Sequence, residues 1–187
     1  MLLLLYRIKA NVPAIIMGET GCGKTSLIIK LSQILNNGEK LVELINIHPD
    51  IIDEEICKRM KEINAKAKKQ EYINKLKNIK NELWVFFDEI NTCLSLSLLR
   101  EIFINRTFNG EILEDNIRLI GAFNPYRKRK EAAEIHGITR ENNQEDELVY
   151  KVEQLPQSLL YYVFNFGSIK GEDEKKYIKS IIQNYII

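Results

Sequence analysis

The apolar positions of this chain change period from one segment to the next, and the changes mark out alternating strands and helices. Residues 12–17, VPAIIM, form a short β-branched run ending at glycine, the pattern of a buried strand. Beyond a glycine-rich stretch, Leu27, Ile28, Leu31, Ile34 and Leu35 recur at helical spacing, and Asn36-Asn37-Gly38 supplies the stop. Residues 40–47, KLVELINI, give the next strand, closed by His48-Pro49. From 51 to about 79, Ile56, Met60, Ile63, Ala67, Ile73, Leu76 and Ile79 step by three or four or a multiple of that, predicting one long or two shorter amphipathic helices. LWVFFDE, 83–89, is a continuous apolar strand ending in two carboxylates. Residues 94–104 then read as a helix with Leu98, Leu99, Ile102 and Phe103 inward.

Asn109-Gly110 marks a tight turn, and IRLIGAFNP, 117–125, another buried strand. Residues 127–146 are strongly polar and read as a helix followed by an exposed loop. LPQSLLYYVFNFG, 155–167, restores apolar character with a short helix and a brief strand at 164–166. In 172–187, Tyr177, Ile178, Ile181, Ile182 and Tyr185 share one helical face. Strands alternating with helices imply an α/β fold with a parallel sheet flanked on both faces.

At 187 residues, the chain has room for one domain with a substantial core. Its 27 Lys and Arg nearly cancel its 26 Asp and Glu, so no global field points to nucleic acid or a membrane. No stretch reaches the roughly 20 apolar residues of a membrane span. Cys22, Cys57 and Cys93 lie far apart and form no C-x-x-C pair, which favours a reduced, cytoplasmic setting. The opening MLLLL is too short for a signal peptide. It reads as the tail of an element that begins upstream in a longer protein, and the last helix pattern ends without a stop signal.

Against this frame, MGETGCGKTSLI carries the clearest chemistry. It matches G-x-x-x-x-G-K-[ST] through Gly18, Gly23, Lys24 and Thr25, with a strand before it and a helix after it. Glycines let successive N–H groups curl around a phosphate, and the helix adds its positive N-terminal end. Gly18, Glu19, Thr20, Gly21, Cys22, Gly23, Lys24, Thr25 and Ser26 are therefore expected to line a nucleotide, ATP, with Lys24 on the β- and γ-phosphates. Thr25 and Asp88 are the expected Mg²⁺ ligands, and Glu89 the base that polarises an attacking water. An acidic pair at a strand end is otherwise a solvated cap. Asn124, at the end of a strand expected beside the Asp88 strand, is placed to hold that water or sense the γ-phosphate; alone, Asn-Pro is a common turn initiator. Together the order P-loop, Asp-Glu, Asn points to an AAA+ ATPase.

VPAIIMGETGCGKTSLI, FFDEINT, NGEI, AFNPYRKR and LVYKVEQLPQSLLYYVFNFG together resemble one ATPase module of the mysterin family, giant RING-type ubiquitin ligases with a dynein-like AAA+ core. The resemblance covers most of the chain and is weakest in the lysine-rich stretch 50–81. It implies a large P-loop NTPase subdomain over 1–170 and the start of a helical lid over 171–187. It also implies nucleotide contacts at Gly21, Gly23, Lys24 and Thr25, an acidic pair at Asp88 and Glu89, and a sensor at Asn124. Partners implied are neighbouring AAA+ modules of the same longer chain and, by family alone, the ubiquitin-conjugating machinery. The ligase chemistry needs clustered Cys and His that these residues lack.

One departure stands out. Many AAA+ proteins place a trans-acting arginine where LPQSLLYYVF has Val163, and Arg106, Arg118, Arg127 and Arg140 are the substitutes to consider. An ATP-loaded structural module with negligible turnover is accordingly the competing function. A P-loop small-molecule kinase is disfavoured by the Asp-Glu pair, and a GTPase by the missing N-K-x-D motif. Residues 58–80 hold nine basic and two acidic residues with Tyr72 as the one aromatic, which reads as a solvated helix face and not a nucleic-acid track. His48 and His136 have no partners at zinc spacing.

Overall fold

The computed structural model describes residues 2–125 and 153–167, together with helical positions at Lys175, Lys176 and Lys179. In chain order the elements are α1 (Leu2–Lys9), β1 (Ala14–Gly18), α2 (Lys24–Leu35), β2 (Val42–Asn46), α3 (Asp53–Lys77) and β3 (Leu83–Asp88). A 3₁₀ turn (Ile90–Thr92) leads into α4 (Leu96–Arg100), which runs on as a π-helical turn (Glu101–Asn105). Strands β4 (Thr107–Phe108), β5 (Glu111–Ile112) and β6 (Ile117–Phe123) follow, then α5 (Gln157–Leu160) and β7 (Val163–Gly167). The main sheet is parallel throughout, in the order β2-β3-β6-β1-β7, and β4 and β5 form a separate hairpin.

The three central strands, β1, β3 and β6, lack polar alternation because both of their faces are covered. In β3, Leu83, Val85 and Phe87 enter the core under α3 and α4, while Trp84 and Phe86 enter the core under α1 and α2. Strand β6 divides the same way, with Ile117, Leu119 and Phe123 on one side and Ile120 and Ala122 on the other. On the first side lie Ile56, Met60, Ile63 and Ala67 of α3, and Phe103, whose ring meets Phe87 at 5.3 Å. On the second lie Leu4, Ile8, Ile28 and Leu31.

The lysine-rich stretch is one helix of 25 residues. Asp53, Glu54 and Glu55 in its first turn and Lys75 and Lys77 in its last suit the helix dipole, and Asn78 ends it in the left-handed region. From Asn64 onward amides help to hold the helix. Asn64 donates to the Ile112 carbonyl and accepts from the Glu114 N–H, Asn116 donates to the Ala67 carbonyl, and Asn74 donates to the Asn81 carbonyl. Asn36, at the end of α2, grips both main-chain groups of Glu82, at 2.9 and 2.7 Å. Its lysines make exposed pairs such as Lys66 with Glu43 and Lys61 with Glu111, as a solvated face should.

Three details refine the sequence pattern. The helix expected over 94–104 starts at Leu96 and widens to π geometry after Arg100, though Leu98, Leu99, Ile102 and Phe103 are all buried as expected. Asn109 and Gly110, both at positive φ, turn a full hairpin. Arg106 and Arg118 are consumed inside the fold. Arg106 donates to Asn11 Oδ1 and to the Glu114 and Ile117 carbonyls, and burial together with Arg118 pushes its guanidinium pKa down. Arg118 pairs with Glu82 and donates to the Asp115 carbonyl. The polar stretch 127–146, with Arg127, Arg140 and His136, and the helix pattern of 172–187 apart from the three lysines named above, lie outside the described residues. Among the described residues, no helix is long and apolar enough to cross a membrane.

Candidate functional site

Strand order decides which residues meet. Because β3, β6 and β1 are adjacent and parallel, their C-terminal ends bring Asp88, Asn124 and the loop after Gly18 to one edge of the sheet, where α/β folds place ligands. The loop from β1 to α2 takes Gly21 and Gly23 to φ of 81° and 86°, a region costly for any residue with a Cβ. Gly18 sits in tight space: a Cβ there would lie 3.0 Å from Cys22 Sγ and 3.2 Å from Phe166 Cβ.

Lys24 opens α2 and is buried. Its ammonium donates to the Gly18 carbonyl at 2.6 Å, the Glu19 carbonyl at 3.0 Å and Asn124 Oδ1 at 3.1 Å. The loop cation and the strand-end amide are therefore directly linked. Thr25 Oγ1 approaches Asp88 Oδ2 at 3.5 Å, while Asp88 Oδ1 accepts the Glu89 N–H at 3.0 Å, so the two carboxylate oxygens face different groups. Glu89 is exposed and sits at φ 58°, a left-handed conformation held by the Thr92 N–H and hydroxyl, both on the Glu89 carbonyl at 2.9 Å. That reversal turns Glu89 out of the strand, so the adjacent carboxylates are not a buried pair.

Thr20, Gly21, Gly23, Lys24, Thr25, Ser26, Asp88, Glu89 and Asn124 line one cleft of about 290 Å³. Of the other expected contacts, Gly18 and Glu19 serve through their carbonyls on Lys24, and Cys22 packs its sulfur against Gly18. Val163 opens β7 level with Ile15 and packs on the core, away from the cleft. The spacing gave no hint of Asn91, whose buried side chain donates to the Asn124 carbonyl at 3.2 Å. Its signal was an amide two residues after Glu89, a position where solvent-facing residues would serve as well.

No cluster of three or more His, Cys, Asp or Glu that could hold a metal ion occurs among the described residues. Thr25 and Asp88 supply two hard oxygen donors side by side in the cleft. That set suits Mg²⁺, which takes few protein ligands and completes its shell with phosphate and water.

Comparison with known proteins agrees with this architecture. The family described as the RNF213 AAA domain matches residues 1–127. The chain is 34% identical over 199 aligned residues to the mouse E3 ubiquitin-protein ligase RNF213, covering 96% of this chain and 4% of that protein. It is 32% identical to the human protein of that name, with the same coverage, and 32% identical to zebrafish E3 ubiquitin-protein ligase rnf213-beta over 98% of this chain. The chain thus spans about 4% of the length of these curated relatives.

Proposed function

The chain belongs to the RNF213 AAA family, and on that premise we propose that it binds ATP with Mg²⁺ in the cleft between α2 and the ends of β3 and β6, and hydrolyses it. The observation that carries the reading is convergence: Lys24, Thr25, Asp88, Glu89 and Asn124 come from three separate segments and line one cleft, with Lys24 bonded to Asn124 and Thr25 beside Asp88.

In this reading, the loop N–H groups and the Lys24 ammonium bind the triphosphate, and Thr25 and Asp88 hold Mg²⁺. Held there, Mg²⁺ would supply charge neutralisation and Lewis acidity toward the phosphates. Glu89, turned toward solvent at the mouth, takes a proton from the attacking water as general base. Asn124 orients that water through its amide, which Lys24 already fixes. The longer protein is proposed to be a cytoplasmic, mysterin-like ubiquitin ligase with further AAA+ modules, its ligase chemistry lying outside these residues.

The test is phosphate release with ATP and Mg²⁺. Glu89→Gln is expected to lower turnover by about 10²-fold or more while retaining ATP affinity, and Lys24→Ala to lose affinity. Equal turnover in wild type and Glu89→Gln would refute hydrolysis. A second reading, a nucleotide-clamping module with negligible turnover, is favoured by one observation: Arg106 and Arg118 are both tied into internal bonds. It is distinguished by tight ATP binding without phosphate release.

A further inference from the structure

We infer that Asn91 is a positioning residue for the Asn124 amide, a role that rests on the hydrolytic reading above. Asn91 is 2% exposed and does not line the cleft, so it reaches the chemistry through another group. Its Nδ2 donates to the Asn124 carbonyl at 3.2 Å, and its own carbonyl accepts the Glu153 N–H at 2.7 Å. One buried residue therefore joins the turn after Glu89, the end of β6 and the segment that leads into α5.

Asn124 needs such a support. Pairing of β6 with β1 ends at Phe123, and Pro125 carries no N–H to anchor the next peptide. Past the sheet, Asn124 is gripped from two sides: Lys24 Nζ on its side-chain oxygen and Asn91 Nδ2 on its main-chain oxygen. The turn bearing Asn91 is itself seated on β6, because Ile90 Cδ1 lies 3.1 Å from where a Cβ on Gly121 would stand. A side chain at 121 would press on the tips of Ile90 and Phe103, which would have to shift by a few tenths of an ångström. Lys24 alone leaves the Asn124 amide free to pivot about that one bond. The Asn91 bond holds the main chain from which that amide projects, and so sets its position relative to Glu89, two residues away from Asn91 along the same turn.

The experiment compares Asn91→Ala, Asn124→Ala and the double variant in the full chain. Asn91→Ala is expected to lower kcat on the order of tenfold, as a small misplacement does, with KM for ATP within about twofold, since the loop and Lys24 are unchanged. In the Asn124→Ala background, Asn91→Ala is expected to cost nothing further. A merely structural role predicts additive losses, and additivity would overturn the proposal. A second readout needs no turnover: the Asn124 side-chain amide signals in NMR are expected to shift and broaden in Asn91→Ala, and unchanged signals would overturn it. Turnover equal in wild type and Glu89→Gln would defeat the hydrolytic reading, and the NMR arm would still decide whether Asn91 holds Asn124.

Discussion

Glu89 stands in a conformation that costs stability, and replacing it with glycine is expected to make the chain more stable while lowering the proposed turnover. At φ 58° the residue pays about 1–2 kcal/mol for its Cβ in the left-handed region. Glycine removes that strain and gives back about 0.4–1 kcal/mol through a freer unfolded chain. The main-chain bonds of Glu89, from its N–H to Asp88 and from Thr92 to its carbonyl, do not need the side chain, which is exposed. The net gain is about 0–1.6 kcal/mol, with a midpoint of about 0.8, or a rise of about 2 °C in Tm for a chain of this size. The assay is urea unfolding at 25 °C for wild type, Glu89→Gly, Glu89→Asn and Glu89→Val at constant m. Asparagine tolerates the left-handed region and should fall between wild type and glycine, whereas valine, whose branched Cβ makes it an outlier there, should be less stable than wild type. A glycine variant less stable than wild type, or a valine variant equal to it, would refute the strain argument. Phosphate release should fall by about 10²-fold or more in Glu89→Gly, which ties the strained backbone to the proposed chemistry.

Two further outcomes test the scaffold. Asn36→Ala is expected to cost about 2–4 kcal/mol, because the Glu82 N–H and carbonyl each lose a partner, and Asn36→Asp at least as much, because it sets a buried carboxylate against the Glu82 carbonyl oxygen; urea unfolding measures both. Burial pushes the Cys57 thiol up, with Asp53, Glu101 and Glu54 adding to it. Burial does the same to Cys93 against the lowering effect of its Ser95 bonds. Iodoacetamide at mildly alkaline pH should therefore modify Cys22 in the folded chain and reach Cys57 and Cys93 on unfolding, as mass spectrometry would show. Since the folded thiols keep their protons to higher pH than the unfolded ones, their contribution to stability is full below the ordinary thiol value and is lost as pH rises through the folded one.

The sheet was legible because burial on both faces writes itself as uninterrupted apolar runs: 12–17, 83–89 and 117–125 correspond to β1, β3 and β6. The cleft was legible for a related reason. A phosphate loop needs glycines at positive φ and a lysine at fixed spacing, and the carboxylates and amide stand at strand ends that the apolar runs already locate. The amide clamps were not legible, since Asn36, Asn64 and Asn91 look like ordinary turn or surface residues until the distant main-chain groups they grip are in place. Nor was the use of Arg106, whose acceptors lie before β1 and at the start of β6.

The fate of the two arginines bears on how the proposed reaction is paced. Arg118 is the second residue of β6 and Asn124 follows its end, so at about 3.3 Å per residue some 20 Å of strand separates them. Arg106 donates to the Ile117 carbonyl at that same far end. Neither can swing into the cleft without unpicking the sheet. Among the described residues lining the cleft, Lys24 is the one cation, set against the carboxylates of Asp88 and Glu89. A triphosphate entering there adds negative charge that Lys24 cannot balance, so binding in the proposed mode depends on Mg²⁺ at Thr25 and Asp88. A second cation on the γ-phosphate is worth on the order of 10³ in rate where it acts. The clamping and hydrolysing readings share one proposed binding site, and a second cation on the γ-phosphate would favour the latter.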